Sequence, residues 1–185
     1  MILQTRDLLS EASEIFTALV QDMLPKDSSP VQPTAGRGGH RAAEHGVDIE
    51  VAVTSDQTTM DLDTDETYEL VVATDAATST TSAYVTAATF FGARHGLETL
   101  SQLMTWDEEL QSLVMMSDAR VVDGPVFTHR GLSVDTARTY VPVAKLKHII
   151  DAMSYNKLNV LHWHLFDSNS WPLVSTRQPL LAIFG

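Results

Sequence analysis

The sequence has 185 residues, which is room for one ordinary domain, or for one small domain and part of another. Its hydrophobic fraction of 44% is typical of a globular protein with a core, and no run of about eighteen apolar residues predicts a membrane span. The net charge of −12 argues against nucleic acid as a partner, because a field of this sign repels phosphate backbones. The absence of cysteine excludes a disulfide framework but leaves the compartment open.

The first segment has the periodicity of an amphipathic helix. Apolar residues between Arg6 and Leu24 recur at three- and four-residue steps, so we expect a helix packed on another element. The proline- and glycine-rich residues 25–46 then predict a long flexible loop. The residues before Leu9 lack the apolar run of a secretion signal, so we expect either a cytoplasmic protein or one whose true amino terminus is missing.

The residues after this loop alternate in polarity, which predicts strands with one solvent-facing side. An apolar stripe over residues 89–104 predicts a helix laid across the resulting sheet. The turn signal Asp123-Gly124-Pro125 marks a domain boundary, so we expect an α+β domain over residues 1–123 and a second region over residues 124–185. The predicted strands are residues 47–53, 68–72, 83–87 and 119–122.

An acidic segment, residues 61–66, lies between the first two predicted strands and has some likeness to a calcium-binding loop. It lacks the glycine that such loops have after the third aspartate, and Val72 stands where the bidentate glutamate should be. We therefore interpret the segment as a solvated hairpin turn.

Residues 124–185 follow a different order, strand then helix then strand. Residues 132–134 predict the first strand, Pro142 stands in the first turn of a helix that Asn156 caps, and residues 159–165 predict the second strand. This order implies a parallel pair, the opening unit of a parallel α/β barrel. Such barrels place their chemistry at the carboxyl ends of their strands.

Two histidines lie on the second of these strands. His162 and His164 are two residues apart, so both side chains are expected on the same face. A pair of this kind occurs at the metal site of amidohydrolase barrels, which would make the protein a metal-dependent hydrolase. We favour the alternative, in which both are hydrogen-bonded interior groups, because the sequence has no other cluster typical of a metal site.

Arg130 and Asp167 flank these strands, and each has two interpretations. Arg130 precedes the first strand and is either a surface cation or a clamp whose fork of donors holds paired hydroxyls. Asp167 follows the second strand at its carboxyl end, where barrels carry functional residues, but a loop aspartate that caps the next segment would look the same. Trp163 and Trp171 are candidate platforms for sugar stacking, although Trp163 alternates with the histidines and is expected to face the surrounding helices.

With these residues, the sequence resembles the β-N-acetylhexosaminidases of glycoside hydrolase family 20, and within it the insect enzymes that degrade chitooligosaccharides. The helix from Arg6 resembles one in the amino-terminal domain of that family. The resemblance implies a zincin-like α+β domain followed by the first βαβ unit of a TIM barrel. Four further segments carry the resemblance. Residues 91–103 resemble the last helix of the family's amino-terminal domain, 129–140 and 159–164 its first two barrel strands, and 175–185 the loop to its third strand.

The resemblance implies hydrolysis of terminal β-linked N-acetylhexosamine with retention, in which the acetamido group of the substrate is the nucleophile. The catalytic acid and its aspartate neighbour form one Asp-Glu pair after a later strand of the family's barrel. No such pair follows a His-Gly-Gly in this sequence, and neither Asp65-Glu66 nor Asp107-Glu108 matches a family motif. The resemblance therefore places both catalytic groups beyond Gly185.

The resemblance also implies roles for four residues of the chain. Arg130 would bind hydroxyls of the terminal sugar, and Asp167 would help to tune the catalytic glutamate through a histidine beyond the present sequence. His162 and His164 would support the barrel. Ser168 stands where many relatives have a second aspartate, so the role of that position does not carry over.

A barrel needs eight strands to bury its core, whereas residues 124–185 supply two, so we expect a fragment that is inactive alone. The full-length enzyme would be extracellular or lysosomal, act on chitooligosaccharides or glycans without a metal or cofactor, and be able to form a homodimer. The alternative is an inactive short product that serves as a binding or interaction module through its amino-terminal domain.

Overall fold

The computed structural model describes residues 4–25, 47–78 and 80–184. The chain divides into two compact units, Met1–Val126 and Phe127–Gly185, which we call unit 1 and unit 2. Apart from Pro25, the predicted flexible loop over residues 25–46 lies outside the described residues. Within the described ranges, no helix combines the length and the apolar character that crossing a membrane requires.

The described part of unit 1 has two helices and six strands. The amphipathic helix expected near the amino terminus is confirmed, and it turns Ala12 and Phe16 inward. The elements are α1 (Thr5–Asp22), β1 (Val47–Val53), β2 (Tyr68–Asp75), β3 (Thr80–Ala87), α2 (Phe90–Gln102), β4 (Met104–Asp107), β5 (Ser112–Met115) and β6 (Ala119–Asp123).

Four strands form one sheet in the order β1–β3–β2–β6. β1 pairs with β3 in parallel, while β2 pairs antiparallel with both β3 and β6. The four predicted strands are confirmed, but the hairpin between β1 and β2 is wrong, because β3 lies between them. The acidic segment instead closes local turns, in which Asp61 Oδ1 accepts hydrogen bonds from the backbone N–H of Asp63 at 3.0 Å and from Thr64 Oγ1 at 2.9 Å.

Helix α2 lies across this sheet, and at Gly92 its backbone packs directly against the backbone that leads into β2. Thr89 caps it by accepting a hydrogen bond from the N–H of Gly92 at 3.3 Å. A Cβ at Gly92 would lie 2.3 Å from the carbonyl oxygen of Thr67, so only glycine permits this approach. The core between the helices and the sheet consists of Ala12, Phe16, Tyr68, Leu70, Val72, Ala83, Val85, Ala87, Ala93, Leu97 and Leu100.

A short antiparallel hairpin, β4–β5, follows α2 and was not predicted. The expected helix ran to Met104, whereas α2 ends at Gln102 and Met104 already belongs to β4. The turn is held by Asp107 Oδ1, which accepts the N–H groups of Glu109 and Leu110 at 2.8 and 2.9 Å. Two strands of four residues are too short for a period-two pattern to stand out.

The described part of unit 2 contains the predicted βαβ arrangement. β7 and β8 are parallel, and their register pairs Gly131 with Val160 and Asp135 with His164. Both strands and the helix between them are confirmed. The elements are β7 (Gly131–Asp135), α3 (Val143–Tyr155), β8 (Val160–His164) and the short α4 (Leu181–Phe184).

The turn from α3 into β8 ends the helix with a left-handed residue. Asn156 is the C-cap of α3, as predicted, whereas Pro142, expected in the first turn, is the N-cap. Lys157 then has a φ of 56°, and the N–H of Leu158 donates to the carbonyl of Met153 at 2.9 Å. This is the hydrogen-bond pattern of a Schellman motif, and it directs the chain into β8.

Candidate active site

The carboxyl ends of β7 and β8 lie side by side in unit 2. Asp135 ends β7 and His164 ends β8, and the register pairs these two residues. The N–H of Thr136 extends the pairing by donating to the carbonyl of His164 at 2.9 Å. Polar side chains from both strand ends and their loops therefore meet at the edge where α/β barrels carry their chemistry.

Asp167 lies in the loop after β8 and binds groups from both strands. Its Oδ2 atom accepts a hydrogen bond from Nε of Arg138 at 3.0 Å and lies 3.5 Å from Nε2 of His164. Its Oδ1 atom accepts the N–H of Asn169 at 2.8 Å. The Asn169 N–H lowers the pKa of Asp167, with further help from His164 and Arg138, and partial desolvation opposes the shift. Asp167 is therefore an ionised acceptor at neutral pH.

Arg138 bridges the two strand ends. Its Nε atom lies 3.1 Å from Oδ2 of Asp135 as well as 3.0 Å from Oδ2 of Asp167, and Nη2 lies 3.3 Å from Nε2 of His164. The side chain is 65% exposed. Within the described part of the chain, Nη1 and one N–H of Nη2 have no partner. The guanidinium is thus anchored on one side and has donors open to solvent on the other.

Strand β8 and the loop after it also contain aromatic residues. Phe166 and Trp171 pack with ring centroids 4.0 Å apart and planes tilted by 32°. The indole N–H of Trp171 is buried and has no hydrogen-bond partner among the described residues. Trp163 is half-exposed and donates from Nε1 to Thr136 Oγ1 at 2.8 Å, so its indole ties β8 to the loop after β7.

The two histidines of β8 differ in their surroundings. His164 contacts Arg138 and Asp167, as a hydrogen-bonded supporting group would. His162 is exposed. Across the described ranges, no three histidine, cysteine, aspartate or glutamate side chains are grouped as metal ligands would be.

Two known protein families match consecutive parts of the chain. Residues 7–103 match the family described as "beta-acetyl hexosaminidase like", which is just over half of the chain. Residues 127–185 match the catalytic domain of glycosyl hydrolase family 20. The chain belongs to glycosyl hydrolase family 20.

Individual relatives in family 20 agree with this assignment. The chitooligosaccharidolytic β-N-acetylglucosaminidase of Ostrinia furnacalis is 38% identical over 98% of this chain and 29% of its own length. The β-hexosaminidase subunit beta of Mus musculus is 40% identical over 67% of the chain and 22% of its own length. The chain is similar in fold to the chitobiase of Flavobacterium johnsoniae, with a TM-score of 0.63 and 27% identity over 92% of this chain and 24% of that one. The chain thus spans less than a third of the length of these relatives.

In this family 20 chain, Arg130 lies at the opposite end of the strands from Asp167. Its backbone N–H donates to Asn159 Oδ1 at 2.9 Å, just before β8 begins. Its guanidinium donates from Nε to the carbonyl of Lys157 and from Nη1 to the carbonyl of Phe127, both at 2.7 Å. The intervening strands are about 15 Å long, so Arg130 and Asp167 do not meet. Through these bonds Arg130 holds the amino ends of the two strands, and its expected contact with sugar hydroxyls stays a prediction.

Sequence reasoning did not assign roles to Arg138 and Asp135. Both belong to a segment that was used for the family resemblance, yet neither was given a function. A signal was available, because Asp135 ends a strand and an arginine follows three residues later, a spacing that lets an aspartate contact both the backbone and the side chain of the arginine. The partner groups on β8 could be found only from the strand register.

A second polar contact, in unit 1, is structural. Nε2 of His95 on α2 lies 2.8 Å from Oε2 of Glu66, and the two side chains are 4% and 6% exposed. Burial lowers the pKa of the neighbouring Arg94, while the carboxylates of Glu98 and Glu66 oppose that shift. The contact between His95 and Glu66 fixes α2 against the segment that leads into β2.

Proposed function

We propose that this chain is part of a β-N-acetylhexosaminidase, an exo-acting hydrolase of terminal β-linked N-acetylglucosamine or N-acetylgalactosamine. In this proposal, unit 1 is a zincin-like amino-terminal domain and unit 2 is the first βαβ unit of the catalytic TIM barrel. The observation that carries the proposal is the network of Asp135, Arg138, His164 and Asp167, because it lies at the carboxyl ends of two parallel strands in the stretch that matches the family's catalytic domain.

The proposed reaction retains the anomeric configuration and uses the substrate's acetamido group as nucleophile. An acidic residue protonates the leaving oxygen, and an adjacent aspartate steadies the acetamido group as it closes onto the sugar. The 185 residues contain no Asp-Glu pair after a His-Gly-Gly, so both groups would come from sequence outside them. Asp167, held ionised by its neighbours, would act on the catalytic glutamate through a histidine that also lies outside these residues.

Arg138 is the arginine of this chain that we propose for contact with sugar hydroxyls. Its open Nη donors lie at the strand ends where barrels carry chemistry, whereas the guanidinium of Arg130 donates to the carbonyls of Lys157 and Phe127 at the other end. A guanidinium with free donors suits hydroxyls, because it can offer parallel N–H groups in a fixed fork. The earlier expectation for Arg130 remains testable beside this one.

A pair of matched substitutions separates the two arginines. Arg138→Gln is expected to raise KM at least roughly tenfold with little loss of stability, because an exposed ion pair contributes about 1 kcal/mol or less. Arg130→Gln is expected to lower thermal stability while leaving KM nearly unchanged. A large rise in KM for Arg130→Gln in a protein of normal stability would restore the original assignment.

The substrate, compartment and partners follow the same proposal. Candidate substrates are chitooligosaccharides, which the name of the Ostrinia furnacalis relative specifies, and the glycans implied by the hexosaminidase names. We propose an extracellular or lysosomal location for the full-length protein, and a homodimer as its assembled form. Gel filtration with light scattering would test the dimer.

The decisive experiment compares two purified proteins on a chromogenic β-N-acetylglucosaminide. One is the 185-residue chain, and the other extends along the reading frame through the whole barrel. Activity in the extended protein alone supports the proposal, and inactivity of both contradicts it. Inactivity of both, with glycan binding retained by residues 1–126, would favour the binding module. Activity of the short chain would show that a catalytic acid lies within it, and elemental analysis for zinc would then test the metal-dependent alternative that uses His162 and His164.

A further inference from the structure

The loop after β7 is organised by one carboxylate. Asp135 Oδ1 accepts the backbone N–H groups of Ala137 and Arg138 at 3.0 and 3.2 Å. Its other oxygen, Oδ2, lies 3.1 Å from Nε of the same arginine. A single side chain therefore holds the backbone of Arg138 by a hydrogen bond and its guanidinium by an ion pair.

The same loop is tied to β8 and the following loop by bonds that do not involve Asp135. Thr136 donates from its backbone N–H to the carbonyl of His164 and accepts the indole N–H of Trp163. Ser170 Oγ donates to the carbonyl of Ala137 at 2.6 Å. The backbone beside Arg138 is thus held from both sides, so the freedom that remains at this position lies in the arginine side chain.

The arginine side chain is restricted by two carboxylates that both contact its Nε atom. Asp135 and Asp167 approach Nε of Arg138 from β7 and from the loop after β8, at 3.1 and 3.0 Å. An arginine side chain has four rotatable bonds, and losing one of two anchors allows several rotamers that point the Nη groups elsewhere. The anchors therefore matter for the direction of the open donors more than for the stability of an exposed ion pair.

We propose that Asp135 is a positioning residue for sugar binding, acting through Arg138. The inference rests on the proposed function, because it takes the open donors of Arg138 to contact substrate hydroxyls. Asp135 itself does not touch the sugar. Its removal is expected to affect the binding of the substrate more than the chemical step.

The substitution Asp135→Asn isolates this role. The asparagine carbonyl still accepts the two backbone N–H groups, so the loop keeps its shape, while the amide nitrogen is a donor and cannot bind Arg138. Asp151→Asn is the matched control, because Asp151 is an exposed carboxylate on α3. Both are made in the protein that extends through the whole barrel.

Two measurements on these variants test the inference. For Asp135→Asn we expect KM to rise roughly five- to tenfold, with kcat within about twofold and an unchanged Tm, and Asp151→Asn should match the wild type. With 15N-labelled arginine, the Nε–H signal of Arg138, identified by its loss in Arg138→Lys, should exchange with water several-fold faster in Asp135→Asn. An unchanged KM or an unchanged exchange rate overturns the inference, as does a joint fall of kcat and Tm.

The two readouts also separate this inference from the proposed function. If the extended protein has no hexosaminidase activity, the proposed function fails and the role of Asp135 in sugar binding fails with it. The exchange measurement then still decides whether Asp135 fixes the guanidinium. If the extended protein is active and Asp135→Asn has a normal KM, only the inference fails.

Discussion

Replacing Gly92 with alanine tests the backbone contact between α2 and the segment that leads into β2. The new methyl group would lie 2.3 Å from the carbonyl oxygen of Thr67 and 3.2 Å from the carbonyl carbon of Glu66. The nearest obstacle is backbone that cannot rotate away. The segment is also held by the Glu66–His95 contact at 2.8 Å and by the bond from Thr89 Oγ1 to the carbonyl of Asp65. The helix must therefore move by about 1 Å to restore normal contact distances.

Gly96 provides the matched comparison on the same helix. A Cβ there would meet Val85 Cγ1 at 2.5 Å and Tyr68 Cδ2 at 3.2 Å, which are side-chain atoms. Alanine stabilises a helix interior by about 1 kcal/mol relative to glycine, and overpacking costs about 1–3 kcal/mol or more. We expect Gly96→Ala to lower the free energy of unfolding by about 1 kcal/mol or less. Gly92→Ala should lower it by about 2 kcal/mol or more, because the backbone contact cannot relax.

Urea unfolding of the wild type and the two variants measures this difference. Trp106 is the only tryptophan of unit 1, so 19F NMR of 5-fluorotryptophan-labelled protein follows unit 1 separately from the signals of Trp163 and Trp171. The midpoint should fall further for Gly92→Ala than for Gly96→Ala, at similar m-values. Equal losses, or a larger loss for Gly96→Ala, would refute the reasoning that contact with backbone is the costlier clash.

Three further predictions concern single side chains. His95→Ala should lower the stability of unit 1 by about 3 kcal/mol, since it leaves Glu66 buried without this partner. In a double-mutant cycle, the double variant Glu66→Ala/His95→Ala should lose less stability than the sum of the two single losses. Gln111→Gly should raise the stability of unit 1 by about 0.5 kcal/mol in urea unfolding, because Gln111 has a φ of 50°, and no gain would show that the turn is unstrained. Because the pKa of Asp167 is lowered in the folded chain, its ionised form stabilises unit 2 above roughly pH 4, and this stabilisation is lost as the pH falls through the folded pKa. Asp167→Asn should therefore flatten the pH dependence of Tm below roughly pH 4. An unaltered profile would contradict the network around Asp167.

The periodic elements of the fold were predictable from sequence because burial of one face sets their pattern. α1, α2 and β7 to β8 fall close to their expected bounds. The order of strands in the sheet was not predictable. The parallel pairing of β1 with β3 joins residues about thirty positions apart, and the alternation of polar and apolar residues within a strand does not show which strand it pairs with. The hairpin β4–β5 was missed for a different reason: its strands are four residues long and directly follow a helix.

The candidate site was predictable to the extent that position along a strand decides it. Asp167 was singled out as a candidate because it follows β8, and its role stays a prediction, as does that of His164 as a supporting group. The same rule places Arg130, which precedes β7, at the amino ends of the strands, and its contact with sugar hydroxyls stays a prediction. Arg138 lies in a loop without periodicity, so its contacts with Asp135 and Asp167 depend on a register that the sequence does not display.

The charges of this network suit a neutral sugar. Arg138 contacts two carboxylates, Asp135 and Asp167, so its positive charge is more than compensated locally while its Nη donors stay open. A neutral substrate needs hydrogen-bond donors but gains little from an uncompensated cation. The proposed reaction also develops positive charge on the sugar ring, as in the oxocarbenium-like transition states of glycosidases, and an isolated arginine close to that charge would oppose it. Pairing the guanidinium with two carboxylates keeps its directional donors and removes that repulsion, which explains why a sugar-binding arginine at this edge would be held in this way.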